Sequence, residues 1–166
     1  MFNEKTIRET RQMVVDQMIG NIIIPDNSFI LEPSAGSGNL AKGILAKNFT
    51  ANIDCIELNK EKRELLKKNG FNVIGSDFFG TIIEAKYDFV IAAPPFKNNI
   101  DLLHIERMYE CLKPGGTIIS LTFPAWVMQN LPHHKRFRKW LEDKEYTICM
   151  LKDFSFVEKN EKRRSH

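Results

Sequence analysis

The sequence is poor in the features that mark several large protein classes. Only 3 of its 166 residues are cysteine, and Cys55, Cys111 and Cys149 are too widely spaced for a Cys-x-x-Cys motif. Their odd number fits no disulfide framework, so buried thiols are expected. No stretch approaches about 18 consecutive apolar residues, which excludes a membrane-spanning helix, and the opening MFNEKTIRET lacks the basic-then-apolar order of a signal peptide. A cytoplasmic setting is the expectation. His, Cys and carboxylate residues nowhere take metal-ligand spacing, and no G-x-S-x-G motif supports a serine hydrolase. Charge is nearly balanced, 24 Lys and Arg against 21 Asp and Glu, so an anionic partner is permitted without being required. Repeats, Pro/Ser-rich linkers and low-complexity blocks are absent before the last ten residues. What remains is an ordinary composition, 43% hydrophobic and 27% charged, that fills one core. Residues 1–156 are expected to form a single domain, and the polar tail 157–166 to be disordered.

The informative feature is alternation. Ile7, Val14 and Met18 suit an amphipathic helix over residues 3–20. Short apolar runs then alternate with helical patterns: strand-like 29–31, helix 39–48, strand 53–58, helix 60–69 and strand 73–74. Downstream the order repeats, with strands at 87–93, 117–123 and 146–151 separated by helices at 101–112 and 133–144. Strands that are apolar throughout imply a parallel sheet buried on both faces, hence a doubly wound α/β domain. Asn59 and Asp101 are expected helix caps, and Lys113-Pro114-Gly115-Gly116 an expected helix stop.

In such a sheet ligands bind beyond the carboxyl ends of the strands. The first strand runs into Glu32-Pro33-Ser34-Ala35-Gly36-Ser37-Gly38, a glycine-rich turn opening a helix, where Gly36 and Gly38 would let a ligand approach the backbone. Glu32 stands at the mouth of that loop. It would repel a pyrophosphate and attract an ammonium and a sulfonium, which favours S-adenosylmethionine over NAD or FAD. Glu57, followed by Leu58, ends the second strand about twenty residues on, the usual offset of a ribose-binding acid. Asp77-Phe78 ends the third, offering an acceptor and a ring to an adenine. The fourth strand ends in Ala93-Pro94-Pro95-Phe96, where two prolines stop the strand and present an aromatic for stacking. Each group also has a plainer reading as a turn or packing residue.

Together these residues resemble the class I S-adenosylmethionine-dependent methyltransferases, and within them the branch that methylates nucleic-acid amino groups, especially adenine N6. The resemblance spans roughly residues 10–155 and implies a Rossmann-like, mostly parallel sheet with helices on both faces. It also implies that Glu32 to Gly38 hold the methionine part of the cofactor, Glu57 the ribose, and Asp77 the adenine. In that branch the fourth-strand motif is Asn or Asp, Pro, Pro, Tyr or Phe, and its first side chain and the carbonyl matching Pro94 accept from the target amine. Here Ala93 has no acceptor. Either another acceptor substitutes, or the target is not a nucleobase amine, or the chain is a cofactor-binding pseudoenzyme. The partners implied are DNA or RNA with a flipped or single-stranded base, with a dimer or a helper protein supplying specificity. After Phe154-Ser155-Phe156 no apolar run remains for the family's last antiparallel strand, so that strand is expected to be either missing or supplied otherwise.

Several residues have competing readings. Asn98 and Asn99 are candidate replacement acceptors or polar turn residues. His104 is a rim residue or, more commonly at such a place, a packed one. Trp126 reads as a packing residue rather than a second stacking platform, and the basic, aromatic-interleaved segment His133 to Leu141 either tracks a phosphate backbone or, the favoured reading, forms an amphipathic helix with Phe137, Trp140 and Leu141 inward and the cations solvated.

Overall fold

The computed structural model describes residues 12–151. Five parallel strands form one sheet in the order β3-β2-β1-β4-β5. The elements are α1 (Gln12–Ile19), β1 (Phe29–Glu32), α2 (Asn39–Lys47), β2 (Asn52–Ile56), α3 (Lys60–Lys68), β3 (Asn72–Gly75), β4 (Tyr87–Ala92), α4 (Ile100–Glu110), β5 (Leu112–Ser120), α5 (Ala125–Met128) and α6 (Pro132–Leu141). The chain winds outward from β1 to β3, then returns to place β4 on the other side of β1. That reversal puts the crevice of the sheet between the ends of β1 and β4.

The two-residue period of the strands divides the core. Ile30, Cys55 and Ile91 pack with Val15, Leu40, Ile44 and Leu66 on one face. Their neighbours Leu31, Ile56, Val90 and Ala92 pack with Phe78, Met108 and Cys111 on the other. Both faces are covered, as continuously apolar strands require. On the first face α1 crosses α2 closely, because a side chain at Gly43 would meet Val15 Cγ1. A smaller cluster of Leu102, Trp126, Phe137 and Leu141 joins α4, α5 and α6. Phe137 and Leu141 thus face inward as their spacing suggested, and Trp126 packs edge-on against Phe137 with centroids 5.1 Å apart.

Several boundaries differ from the sequence reading. Asn59 does cap α3, accepting from Lys62 N at 3.0 Å. Asp101 caps nothing. Asn98 and Asn99 adopt left-handed backbone (φ 58° and 57°), so the helix starts at Ile100 and Asp101 falls inside its first turn. The stop at 113–116 lies inside β5, which starts at Leu112 and pairs with β4 through a register shift between Tyr87 and Phe89. The run Tyr146 to Leu151 is irregular rather than a strand. Tyr146, Ile148 and Met150 are exposed, and β propensity without a hydrogen-bonding partner makes no strand. Cys55 and Cys111 are buried, whereas Cys149 is exposed. Residues 3–11 of the expected first helix, the tail and the question of a final antiparallel strand lie outside the described residues. No helix among the described residues is long and apolar enough to cross a membrane.

Candidate functional site

The carboxyl ends of parallel strands share one rim, so the loops after β1, β2 and β3 meet there. Gly36 and Gly38 both take left-handed backbone (φ 56° and 82°), which folds the loop after β1 back before α2 begins. The reason for Gly38 differs from the expected one. A Cβ there would lie 2.9 Å from Leu66 and 3.3 Å from Phe71, so its glycine serves packing beneath the loop as well as backbone conformation. Pro33 and Ala35 are buried and Ser34 half-buried. Ala35 N donates to Ile56 O at 3.0 Å, joining this loop to the end of β2.

Glu57 locks the junction. Its Oε2 accepts from Gly36 N at 2.7 Å and its Oε1 from Asn59 N at 2.8 Å. Arg63 reaches back to donate to the carbonyls of Glu57 and Leu58. Glu57 remains partly exposed, and each of its oxygens keeps a second lone pair for a hydroxyl donor. Leu58 beside it is exposed.

Glu32 is not at the mouth of the loop. It lies beneath it, 2% exposed, with Oε2 lacking any hydrogen-bond partner. Burial pushes its carboxyl well above the ordinary carboxylate range, with the Glu57 charge adding to the rise and the Ala41 N–H opposing it. Its unpartnered oxygen can accept from a donor that comes close enough, and an ammonium group is such a donor.

At the outer edge of the same side, the loop after β3 is held by Asp77, which accepts from Phe79 N at 3.2 Å and, through its carbonyl, from Thr81 N. The Asp77 side chain stays exposed while Phe78 is buried. His104, one turn after Asp101 in α4, packs against both rings, with centroids 5.3 Å from Phe78 and 4.9 Å from Phe79. Its Nδ1 lies 3.4 Å from Ser34 Oγ. Burial holds the imidazole down at about 4, so it is neutral near pH 7. His104 is packed, as such residues commonly are, but what it packs against is the rim itself. Its spacing from Asp101, three residues along one helix face, is visible in the sequence.

At the end of β4, Ala93 is half-buried, Pro94 buried, Pro95 exposed and Phe96 half-buried. Ala92 O accepts from Leu121 N at 3.1 Å, tying this terminus to that of β5. Asn99 Oδ1 is engaged by His134 Nε2 at 3.1 Å, leaving Asn98 to line a cleft of about 240 Å³ with Asn99, Leu102, Leu103, His133 and Arg136. Glu32 to Gly38, Glu57, Asp77 and Phe78, expected from the sequence to meet a cofactor, thus all lie at the carboxyl ends of β1, β2 and β3, with the Ala93 to Phe96 segment following β4 at the switch point.

No family model matches the sequence. The curated malonyl-(acyl-carrier protein) O-methyltransferase of Priestia megaterium is 32% identical over 108 residues, which is 61% of this chain and 39% of that protein. TYW2 of P. horikoshii, solved in complex with MeSAdo, superposes with a TM-score of 0.62 at 17% identity, covering 80% of this chain and 52% of that one. The type I restriction-modification system methyltransferase subunit of Streptococcus thermophilus gives 0.62 at 15% identity over 78% and 36%. The chain has the class I methyltransferase fold. It spans about half or less of the length of each of these relatives. Within that fold, the rim described above is where the strand order reverses.

Proposed function

We propose that this chain is an S-adenosylmethionine-dependent methyltransferase acting on an amino nitrogen of an unpaired nucleobase, with adenine N6 as the favoured target. The observation that carries the reading is the strand order, which sets the end of β4, where two prolines precede Phe96, beside the end of β1, whose glycine loop is bonded through Gly36 to Glu57. In this reading the unpartnered Glu32 oxygen meets the cofactor's ammonium, Pro33 to Gly38 line its methionine part, and Glu57 with Leu58 borders the ribose. Asp77 and Phe78 take the adenine. These residues fit the group, since Glu32 Oε2 has no donor and Glu57 keeps open lone pairs. When bound, the cofactor supplies an electrophilic methyl group on a sulfonium.

The protein's own part is alignment. A base inside a duplex cannot reach such a rim, so the acceptor is single stranded or flipped out and stacks on Phe96. Pro94 and Pro95 fix the backbone against which it rests. The cleft lined by His133 and Arg136 offers donors to a flanking phosphate. In this reading a helper protein or a second copy supplies sequence choice. Radiolabelled methyl transfer to DNA, RNA and protein, run beside calorimetry with S-adenosylhomocysteine, tests the reading. Transfer to single-stranded nucleic acid at adenine supports it, and absence of S-adenosylhomocysteine binding by folded protein refutes it.

One observation favours a second reading, a cofactor-binding pseudoenzyme with a regulatory role. Ala93 brings no acceptor to the end of β4, and losing one positioned polar group of this kind costs about 2.7 to 4 kcal/mol of transition-state stabilisation. Binding without transfer to any acceptor would favour it.

A further inference from the structure

An amine attached to an aromatic ring attacks a methyl group only when its N–H bonds are held by acceptors and its lone pair is aimed at the carbon. Position 93 offers only a methyl group. The acceptor must come from elsewhere on the rim, and besides Glu32, which the proposed reading assigns to the cofactor's ammonium, a second buried carboxyl there has an oxygen to spare.

Asp101 is 1% exposed. Its Oδ2 accepts twice, from Thr122 Oγ1 at 2.7 Å and from Phe123 N at 2.9 Å, while its Oδ1 is buried with no hydrogen-bond partner. Leaving a buried polar atom unpaired costs about 1 to 3 kcal/mol, more when it is charged, so a folded chain seldom keeps one without a use. Its location gives the use. β4 lies between β1 and β5 in the sheet. Asp101 is tied to the segment leaving β5, whereas His104, one turn further along the same face of α4, reaches Ser34 in the loop leaving β1. That helix face therefore spans the terminus of β4, where Ala93 stands.

We propose that Asp101 is a catalytic residue, its unpaired oxygen supplying the acceptor that position 93 lacks. The small residue at 93 and the unpaired oxygen at 101 are complementary: one vacates the position and the other fills the role. The inference rests on the methyltransferase reading above. Transfer breaks the carbon–sulfur bond of the sulfonium and forms a carbon–nitrogen bond; sulfur keeps the electron pair as a neutral thioether, and the proton shed by the methylated amine passes to Asp101 Oδ1 and then to water.

The decisive variant is Asp101→Asn. Thr122 O–H and Phe123 N–H both require an oxygen, so the amide must turn its NH2 toward the position of the unpaired oxygen, where a donor would then face the incoming amine. The test measures methyl transfer to a single-stranded oligodeoxynucleotide containing one adenine, and calorimetric binding of that strand to S-adenosylhomocysteine-loaded protein. The same strand with hypoxanthine, which has no amine, is the comparison. Asp101→Asn should lower kcat roughly 100- to 1,000-fold and abolish the preference for adenine over hypoxanthine, with S-adenosylhomocysteine affinity unchanged within about twofold. Ala93→Asn in that background should restore at least about tenfold of the lost rate. A variant that keeps both rate and preference overturns the role of Asp101 while leaving the methyltransferase reading intact. A wild-type chain that binds S-adenosylhomocysteine but neither binds nor methylates the strand overturns the nucleobase reading and this role with it. If Asp101→Asn fails to fold, Ala93→Asn in the wild-type chain decides: a gain under about threefold means that position 101 already acts, and a gain above about thirtyfold means that no acceptor was present.

Discussion

The two halves of the rim are built differently. On the β1-β2-β3 side, Glu57 accepts from two backbone donors, Ala35 bonds across to Ile56, and Arg63 fixes the acidic turn. On the β4-β5 side, Asp101, Trp126, His133 and His134 each carry a buried polar atom without a partner, and Phe123 and Met128 are exposed. The first half is nearly complete in its own hydrogen bonds, with Glu32 as the exception. The second leaves those atoms unpaired. In the proposed reading the first half would hold the cofactor and the unpaired groups of the second would meet the methyl acceptor.

Glu57→Gln attacks the pre-formed half where it is tightest and should have the largest effect. Both oxygens face N–H donors, so an amide leaves one of them opposed by another donor, at about 2 kcal/mol. Calorimetry should show S-adenosylhomocysteine affinity falling by about thirtyfold. If the loss is under about threefold, the two halves are not distinct in the proposed way. Phe96→Ala sharpens the contrast from the other side. Stacking contributes about 1 to 3 kcal/mol per base, so binding of single-stranded oligonucleotide should weaken by roughly tenfold while S-adenosylhomocysteine binding stays unchanged.

Glu32→Gln probes the exception. The folded-state pKa is raised by burial, so the folded chain holds a proton that the unfolded chain gives up, and stability is lost as pH rises above the ordinary carboxylate range. The amide removes that loss. Its melting temperature should exceed that of the wild type at pH 7 to 8 and match it near pH 4, while S-adenosylhomocysteine affinity falls. The opposite trend would mean that the carboxyl is ionised and paired. The smallest effect is expected from His104→Gln. Because burial holds this imidazole down at about 4 against an ordinary 6.5, the unfolded chain takes up its proton first, and stability declines as pH falls between those values. A thermal-melt series across that window should be shallower in the variant.

The residues that were legible in the sequence are those whose reasons are local. The glycine turn after β1, the Asn59 cap and the two prolines after β4 each act within a few positions, and the alternation of apolar runs with helices announced the parallel sheet. The Tyr146 to Leu151 run misled because a strand is defined by its partner, and the described residues give it none. Asp101 read as a cap because its position before an apolar helix suits one; two left-handed asparagines instead start the helix earlier. Its bond to Thr122, 21 residues away, is invisible to any local rule.

By itself the sequence determined the order of the elements, the doubly wound class and the set of chemical groups at the strand ends, because these follow from periodicity, turn chemistry and the sharing of one rim by parallel strands. Tertiary structure alone decided which of those groups are buried, which are satisfied and which are left unpaired. Glu32 is an exposed acid or a sealed one according to how α2 closes over it, and Asp101 is a cap or an open acceptor according to where β5 ends. Burial and pairing are properties of the surroundings of a residue, and those surroundings are assembled from segments distant in the chain.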